Sequence, residues 1–185
     1  MTVRPLAAAL VRDALESDLP ALARLGARLA RMHQRMDPAR FFVTDELETG
    51  YAWWLGKERR NRSAVVLAAV RASRGRERVV GYAYGRLEPR DWNTLREACG
   101  VGIDLFVEPA ERRRGTGRAL VLALSERLEA RGARQVVIDV AARNPEAQAV
   151  FERLGFRPTM LEMAREAGAA ARRGAGRSRR TQGGD

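Results

Sequence analysis

Hydrophobic and polar positions along this chain alternate with two periods, and each change of period marks an element boundary. Ala8–Arg12 is a short apolar run that predicts a first strand, followed by a polar turn at Glu16–Ser17–Asp18. Leu22, Leu25, Leu29 and Met32 then recur at helical spacing, with Asp18 as the expected N-cap, Pro20 in the first turn and Asp37–Pro38 as the stop. A second helix is expected around Asp45–Arg60, carrying Leu47, Tyr51, Trp54 and Leu55 on one stripe. The apolar runs Ala64–Val70 and Val79–Leu87, separated by a turn containing Gly75, read as an antiparallel hairpin. Val101–Val107 is a further strand, closed by Pro109. From Gly115 the period is helical again, with Leu120, Val121, Leu124 and Leu128 on one face and Gly132 just past the end. Gln135–Val140 lacks alternation, as a strand covered on both faces does. Asn144 and Pro145 open a last helix with Ala147, Val150, Phe151 and Leu154 on its buried stripe and Gly155 as its stop; Phe156–Met163 is expected to return as a final strand.

Composition changes the picture at the C-terminus. The 185 residues are 45% hydrophobic and 31% charged, enough for one core, which predicts a single domain over residues 1–164. Residues 165–185 hold six arginines against one glutamate and one aspartate among Gly, Ala and Ser, and read as a basic, disordered tail. The formal charge is +11, yet Lys57 is the only lysine among 34 basic residues, a bias that fits a GC-rich coding sequence better than a selected surface. No uncharged apolar stretch is long enough to span a bilayer, so a cytoplasmic protein without membrane contact is expected. With one cysteine, Cys99, and one histidine, His33, neither an internal disulfide nor a Cys/His zinc cage can form, and no metal is expected.

The stretch that carries chemistry is Val107–Arg118, which leads from a strand into a helix. A helix start leaves backbone N–H groups unpaired and positively polarised, and glycines let the chain approach a phosphate closely. Arg112, Arg113, Arg114 and Arg118 add positive charge, so a phosphate or pyrophosphate is the natural guest. A P-loop is excluded because no lysine follows these glycines. A dinucleotide-binding Rossmann unit matches Gly115, Gly117 and, at a distance, Asp139, but its third glycine position is Leu120 and too little chain follows Asp139.

Arg112-x-x-Gly115-x-Gly117 resembles the acetyl-CoA signature of the GNAT superfamily of N-acetyltransferases. Val107-x-Pro109 and Asn144-x-x-Ala147-x-x-x-Phe151-x-x-x-Gly155-Phe156 resemble the same family in order and spacing, and the likeness covers about residues 8–164. It implies an α/β fold, a central mixed twisted sheet of six or seven strands with helices on both faces. It further implies that the fourth and fifth strands splay apart to admit the pantetheine of acetyl-CoA along Leu105, Phe106 and Val107. Arg112, Arg113, Arg114, Gly115, Thr116, Gly117 and Arg118 would hold the pyrophosphate, chiefly through backbone amides, with Asn144 near the pantetheine arm or acting as a helix cap.

The activity so implied is transfer of the acetyl group of acetyl-CoA to a primary amine of a small molecule or protein by direct attack. The amine must lose a proton first, and Asp104, which interrupts an apolar strand, is the candidate base; Glu108, Glu88 and Asp91 are the alternatives. Phe151 stands where many members of the family carry a tyrosine that protonates the leaving thiolate; Tyr51, Tyr82 and Tyr84 are the hydroxyls available instead. A covalent route through Cys99 has no histidine near it in sequence. Trp53, Trp54 and Trp92 are candidate walls of an acceptor pocket, which a basic surface would close to polycations. A homodimer is compatible with the resemblance, and a nucleic acid partner is not expected. Two competing readings stay open, a noncatalytic acyl-CoA-binding module motivated by Phe151 and a nucleic-acid-binding protein acting through the tail.

Overall fold

The computed structural model describes residues 9–73 and 75–167; the tail expected to be disordered lies outside them from residue 168 onward. The chain divides into two compact units, Met1–Val150 and Phe151–Asp185.

In the first unit the elements run β1 (Leu10–Asp13), α1 (Leu19–Met36), α2 (Leu47–Glu58), β2 (Ala64–Ser73), β3 (Arg76–Glu88), β4 (Cys99–Val107), α3 (Thr116–Glu129) and β5 (Val136–Ile138), and α4 (Pro145–Arg153) begins there. The strands form one sheet in the order β1-β2-β3-β4-β5, antiparallel from β1 to β4 and parallel between β4 and β5. Alternation along β2 and β3 divides the core in two. Val66, Ala68, Val70, Tyr82 and Tyr84 face Leu22, Leu25 and Leu29 of α1 and Leu55 of α2. Val65, Leu67, Ala69, Val80 and Ala83 face Leu120, Leu124 and Leu128 of α3. Each such fully buried leucine contributes about 1.5–3 kcal/mol, so the periodic stripes alone suffice to fix the helices to their faces.

Several expectations are corrected. Five strands are present among the described residues, not six or seven, because Phe156–Met163 joins no ladder. Pro158 there lacks a backbone donor, and Met160, Leu161 and Met163 are exposed rather than packed. The fifth strand covers Val136–Ile138 instead of Gln135–Val140, since only Gly100, Val101 and Gly102 of β4 pair with it. Asp18 precedes α1 but does not cap it with its side chain. Its carboxylate accepts from the Leu15 N–H at 2.8 Å and from Arg12 at 2.6 Å. Burial pushes the carboxyl up, and these bonds outweigh it, leaving it below the usual range.

In the second unit the last turn of α4 closes by hydrogen bonds from the Leu154 and Phe156 N–H groups to the Phe151 carbonyl at 2.9 and 3.1 Å. Gly155 takes the left-handed conformation (φ 90°) that such a stop requires. Phe151 meets Phe156 edge to face, ring centres 5.8 Å apart.

Candidate active site

The parallel ladder between β4 and β5 ends at Gly102, whereas β4 runs on to Val107. Leu105, Phe106 and Val107 therefore pair with β3 on one side and, among the described residues, have no strand on the other. Pairing between the two strands thus stops five residues before the end of β4, on the side of the sheet edge that leads into the loop after Val107.

That loop is pinned by a buried carboxylate. Glu111, in a single 3₁₀ turn (Pro109–Glu111), accepts from Arg71 Nε at 2.9 Å, Arg78 at 3.0 Å and Arg114 at 3.4 Å. Beyond it the backbone turns through Arg113 (φ 61°) and Gly115 (φ 81°), both left-handed, into the first turn of α3. No described residue supplies a hydrogen-bond acceptor to the backbone N–H groups of Arg113 through Arg118, and the first closing bond is that from the Ala119 N–H to the Gly115 carbonyl at 2.9 Å. The buried Thr116 hydroxyl likewise lacks a partner among the described residues. Consecutive unpaired amides at a helix start form an anion-binding concavity, and the open space over Gly117, where an added Cβ would meet only Val107 at 3.8 Å, lets an anion approach. The residues present fit the diphosphate of a coenzyme A derivative.

A second cluster sits on the α1/α2 face of the sheet. Asp104 accepts a hydrogen bond from the Tyr82 hydroxyl at 2.7 Å. Burial raises its carboxyl to about 6, against the pull of that hydrogen bond. Ile103 is the extra residue of a bulge between β3 and β4, and the resulting register turns Asp104 and Phe106 to one face, with Tyr82 opposite Phe106. Tyr51 approaches closely enough that burial and the charge of Asp104 both push its hydroxyl up. The Tyr51 ring lies on Gly26 of α1, where a Cβ would come within 2.3 Å of it, and meets Trp54 edge to face at 5.7 Å. A cavity of about 370 Å³ opens along Thr44, Glu46, Leu47, Gly50, Tyr51 and Trp54. A second, of about 350 Å³, lies between α1 and β4, against Arg28, Arg31, Met32, Arg35, Phe106, Pro109 and Arg112.

The other candidates are placed elsewhere. Glu108 binds Arg78 at 2.7 Å and Arg28 at 3.5 Å, Glu88 binds Arg86 and Arg96, and Asp91 folds its own loop by accepting from the Asn93 N–H at 2.8 Å. Cys99 is buried, which raises its thiol, while His33 stacks on Phe41 at 4.9 Å. Trp54 packs on Tyr84 beside the first cavity, but Trp53 and Trp92 are exposed under Lys57 and Arg90. Asn144 caps α4, accepting from the Ala147 N–H at 3.2 Å. The sequence reading missed the α1 arginines, although residues 28, 31 and 35 are spaced i, i+3, i+7 on one helical face.

Comparison with known proteins gives the same reading as the geometry. The chain is similar to mycothiol acetyltransferases of Nocardioides sp., 32% identical over 98 residues, and of Amycolatopsis mediterranei, 37% identical over 82 residues. These matches take in 50% and 44% of this chain and 32% and 27% of those proteins, so the chain spans about a third or less of the curated relatives. Among solved structures, a mutant form of a Bacillus halodurans protein has a TM-score of 0.73 at 21% identity, covering 85% of this chain and 98% of that one. An aminoglycoside N-acetyltransferase in complex with CoA has a TM-score of 0.64 at 18% identity, covering 90% and 99%. At these identities the structures show the fold alone. The model of the acetyltransferase (GNAT) family, whose members use acetyl-CoA, matches residues 27–156, and with well over half of the sequence matched this chain belongs to that family.

Proposed function

We propose that this protein transfers the acetyl group of acetyl-CoA to a primary amine, with Asp104 as the general base. The observation that carries the reading is the run of unpaired amides from Arg113 to Arg118 beside the unpaired edge of β4, which suits a diphosphate with the thioester arm laid along that edge. Acetyl-CoA supplies an activated carbonyl, and its pantetheine would lie along Leu105, Phe106 and Val107. Arg112, Arg113, Arg114, Gly115, Thr116, Gly117 and Arg118 would hold its pyrophosphate, while Asn144 fixes the start of α4.

Attack forms the new C–N bond as the C–S bond breaks, and the amine must arrive neutral. Asp104 takes the proton that the ammonium gives up. A carboxyl raised to about 6 is a better base than an ordinary aspartate yet ionised at neutral pH. The Tyr82 hydroxyl, donating to Asp104, holds the carboxylate in place. Phe151 has no proton to give, and a thiolate with a pKa near ~8.5 leaves without one.

The test uses the full chain. Calorimetry with coenzyme A should give binding, and thiol release from acetyl-CoA should depend on an added amine. Absence of heat with any coenzyme A derivative overturns the reading, and binding without turnover across a broad amine panel reduces the protein to a noncatalytic acyl-CoA-binding module.

A further inference from the structure

The cavity between α1 and β4 collects more positive charge than its surroundings neutralise. Arg28, Arg31 and Arg35 point into it from one face of α1, and Arg112 enters from the loop after β4. The guanidinium groups of Arg28 and Arg112 lie 5.5 and 5.6 Å from the centre of the same Phe106 ring. Like charges at these helical spacings repel, so gathering them costs stability. The available carboxylates offset little of it. Glu108 reaches Arg28 at only 3.5 Å while committing its other oxygen to Arg78 at 2.7 Å. Glu48 is 3.9 Å from Arg31. Arg112 donates to the Val107 carbonyl at 3.1 Å and to no carboxylate, and Arg35 has no hydrogen-bonding or ionic partner among the described residues.

Position says what the charge is for. The amide run that suits a diphosphate begins α3, which packs on the opposite face of the sheet from α1. Phe106, the floor of the arginine cavity, is two residues from Asp104 on the same face of β4, a separation of about 7 Å along a strand. An anion seated over Phe106 would therefore lie within a few bonds of an amine presented to Asp104.

We propose that the acetyl acceptor is an anionic amine, its carboxylate or phosphate group held in the cavity by Arg28, Arg31 and Arg35 of α1, with Arg112 at the cavity's edge left to the pyrophosphate. This rests on the acetyltransferase reading and names its acceptor class. The proposal also accounts for the basic charge of the folded part, which would repel a polycationic acceptor and attract this one.

The experiment compares γ-aminobutyrate with γ-aminobutyramide, and aminoethyl phosphate with methoxyethylamine, as acceptors for wild type and for Arg31→Glu/Arg35→Glu. The wild type should favour the charged member of one pair, and which pair separates a carboxylate from a phosphate site. In the double variant kcat/KM for that amine should fall about 50-fold, as expected for lost charge-assisted hydrogen bonds. The neutral amine and the KM for acetyl-CoA should stay within about twofold. Arg35→Gln, which introduces no new charge, should give an intermediate loss and guards against misfolding of the double variant. Equal losses for charged and neutral amines overturn the proposal. A raised acetyl-CoA KM with unchanged amine preference overturns it too, assigning the cavity to the cofactor. Calorimetry with the same two anionic amines separates the two layers of inference. Binding that the double variant loses, without turnover in the wild type, keeps the anion site and sinks acetyl transfer. Turnover without charge discrimination does the reverse.

Discussion

Two tyrosine–carboxylate pairs stand side by side on β3, and they differ in what lies beyond the carboxylate. Tyr82 and Tyr84 are two residues apart, point to the same face and are both fully buried. Tyr82 donates to Asp104 at 2.7 Å and Tyr84 to Glu58 at 2.8 Å. Glu58, at the end of α2, is itself buried and takes a second hydrogen bond from the Asn61 side-chain amide at 3.3 Å. Asp104 takes none besides that of Tyr82 among the described residues and stays partly accessible, on the stretch of β4 that β5 does not cover. The same chemical unit is thus closed in one place and open in the other. Under the proposed mechanism it is this remaining access to Asp104, not the tyrosine that both pairs share, that would make a carboxylate available for proton transfer.

The sharpest break of this comparison is to neutralise each carboxylate without changing its shape. Asp104→Asn should lower kcat by about 100-fold or more, the usual contribution of a positioned base. Glu58→Gln should leave kcat within about threefold. Both are read from thiol release at saturating acetyl-CoA and amine. A Glu58→Gln variant as inactive as Asp104→Asn would mean that both pairs serve chemistry.

The hydroxyls sharpen it further. Asp104 must be ionised to act, so kcat/KM should rise with pH through a midpoint of about 6 and then level off, as long as the amine itself is not limiting. The Tyr82 hydrogen bond stabilises the ionised form and lowers that midpoint. Tyr82→Phe should therefore move the midpoint upward and cut kcat/KM by about tenfold at pH 6, with a smaller loss at pH 8. Tyr84→Phe should leave the midpoint where it is. A downward shift in Tyr82→Phe would show that the hydroxyl does not act on Asp104.

Much of this was legible in the chain, and the reason is locality. The stripes of α1 and α3 repeat at helical period, and the glycine-rich start of α3 needs Gly115 because the backbone there is left-handed. Asp104 was visible as a charge inside an apolar strand. Its partner was not, because the contact with Tyr82 depends on the bulge at Ile103 and on pairing across 22 residues, which no local period encodes. The same holds for Asp18, whose position resembles a cap but whose carboxylate is drawn back to Arg12. The Phe156–Met163 strand was read from apolar content alone, and apolar content does not supply a ladder partner. The arginine cavity was legible as a spacing on α1 but not as a site until β4 brought Phe106 and Arg112 against it.

The smallest effect is on stability, where the two neutralised carboxylates should act in opposite directions. Asp104 has its carboxyl raised to about 6 in the folded protein, whereas an unfolded aspartate titrates near the ordinary value. Between those two values the folded state binds the extra proton, so stability falls as pH rises through that window and stays lower above it. Asp104→Asn removes the titration and should raise Tm by about 3 °C at pH 7.5, with no gain near pH 4, where the native group is already protonated. Partial exposure of Asp104 keeps the gain modest. Glu58→Gln instead weakens a charge-assisted hydrogen bond from Tyr84 in a closed site and should lower Tm by a similar amount at pH 7.5. Scanning calorimetry of both variants at the two pH values decides the matter. A site kept for proton transfer is held at a cost to the fold and a structural one contributes to it, so Tm shifts of the same sign would place both pairs in the structural class.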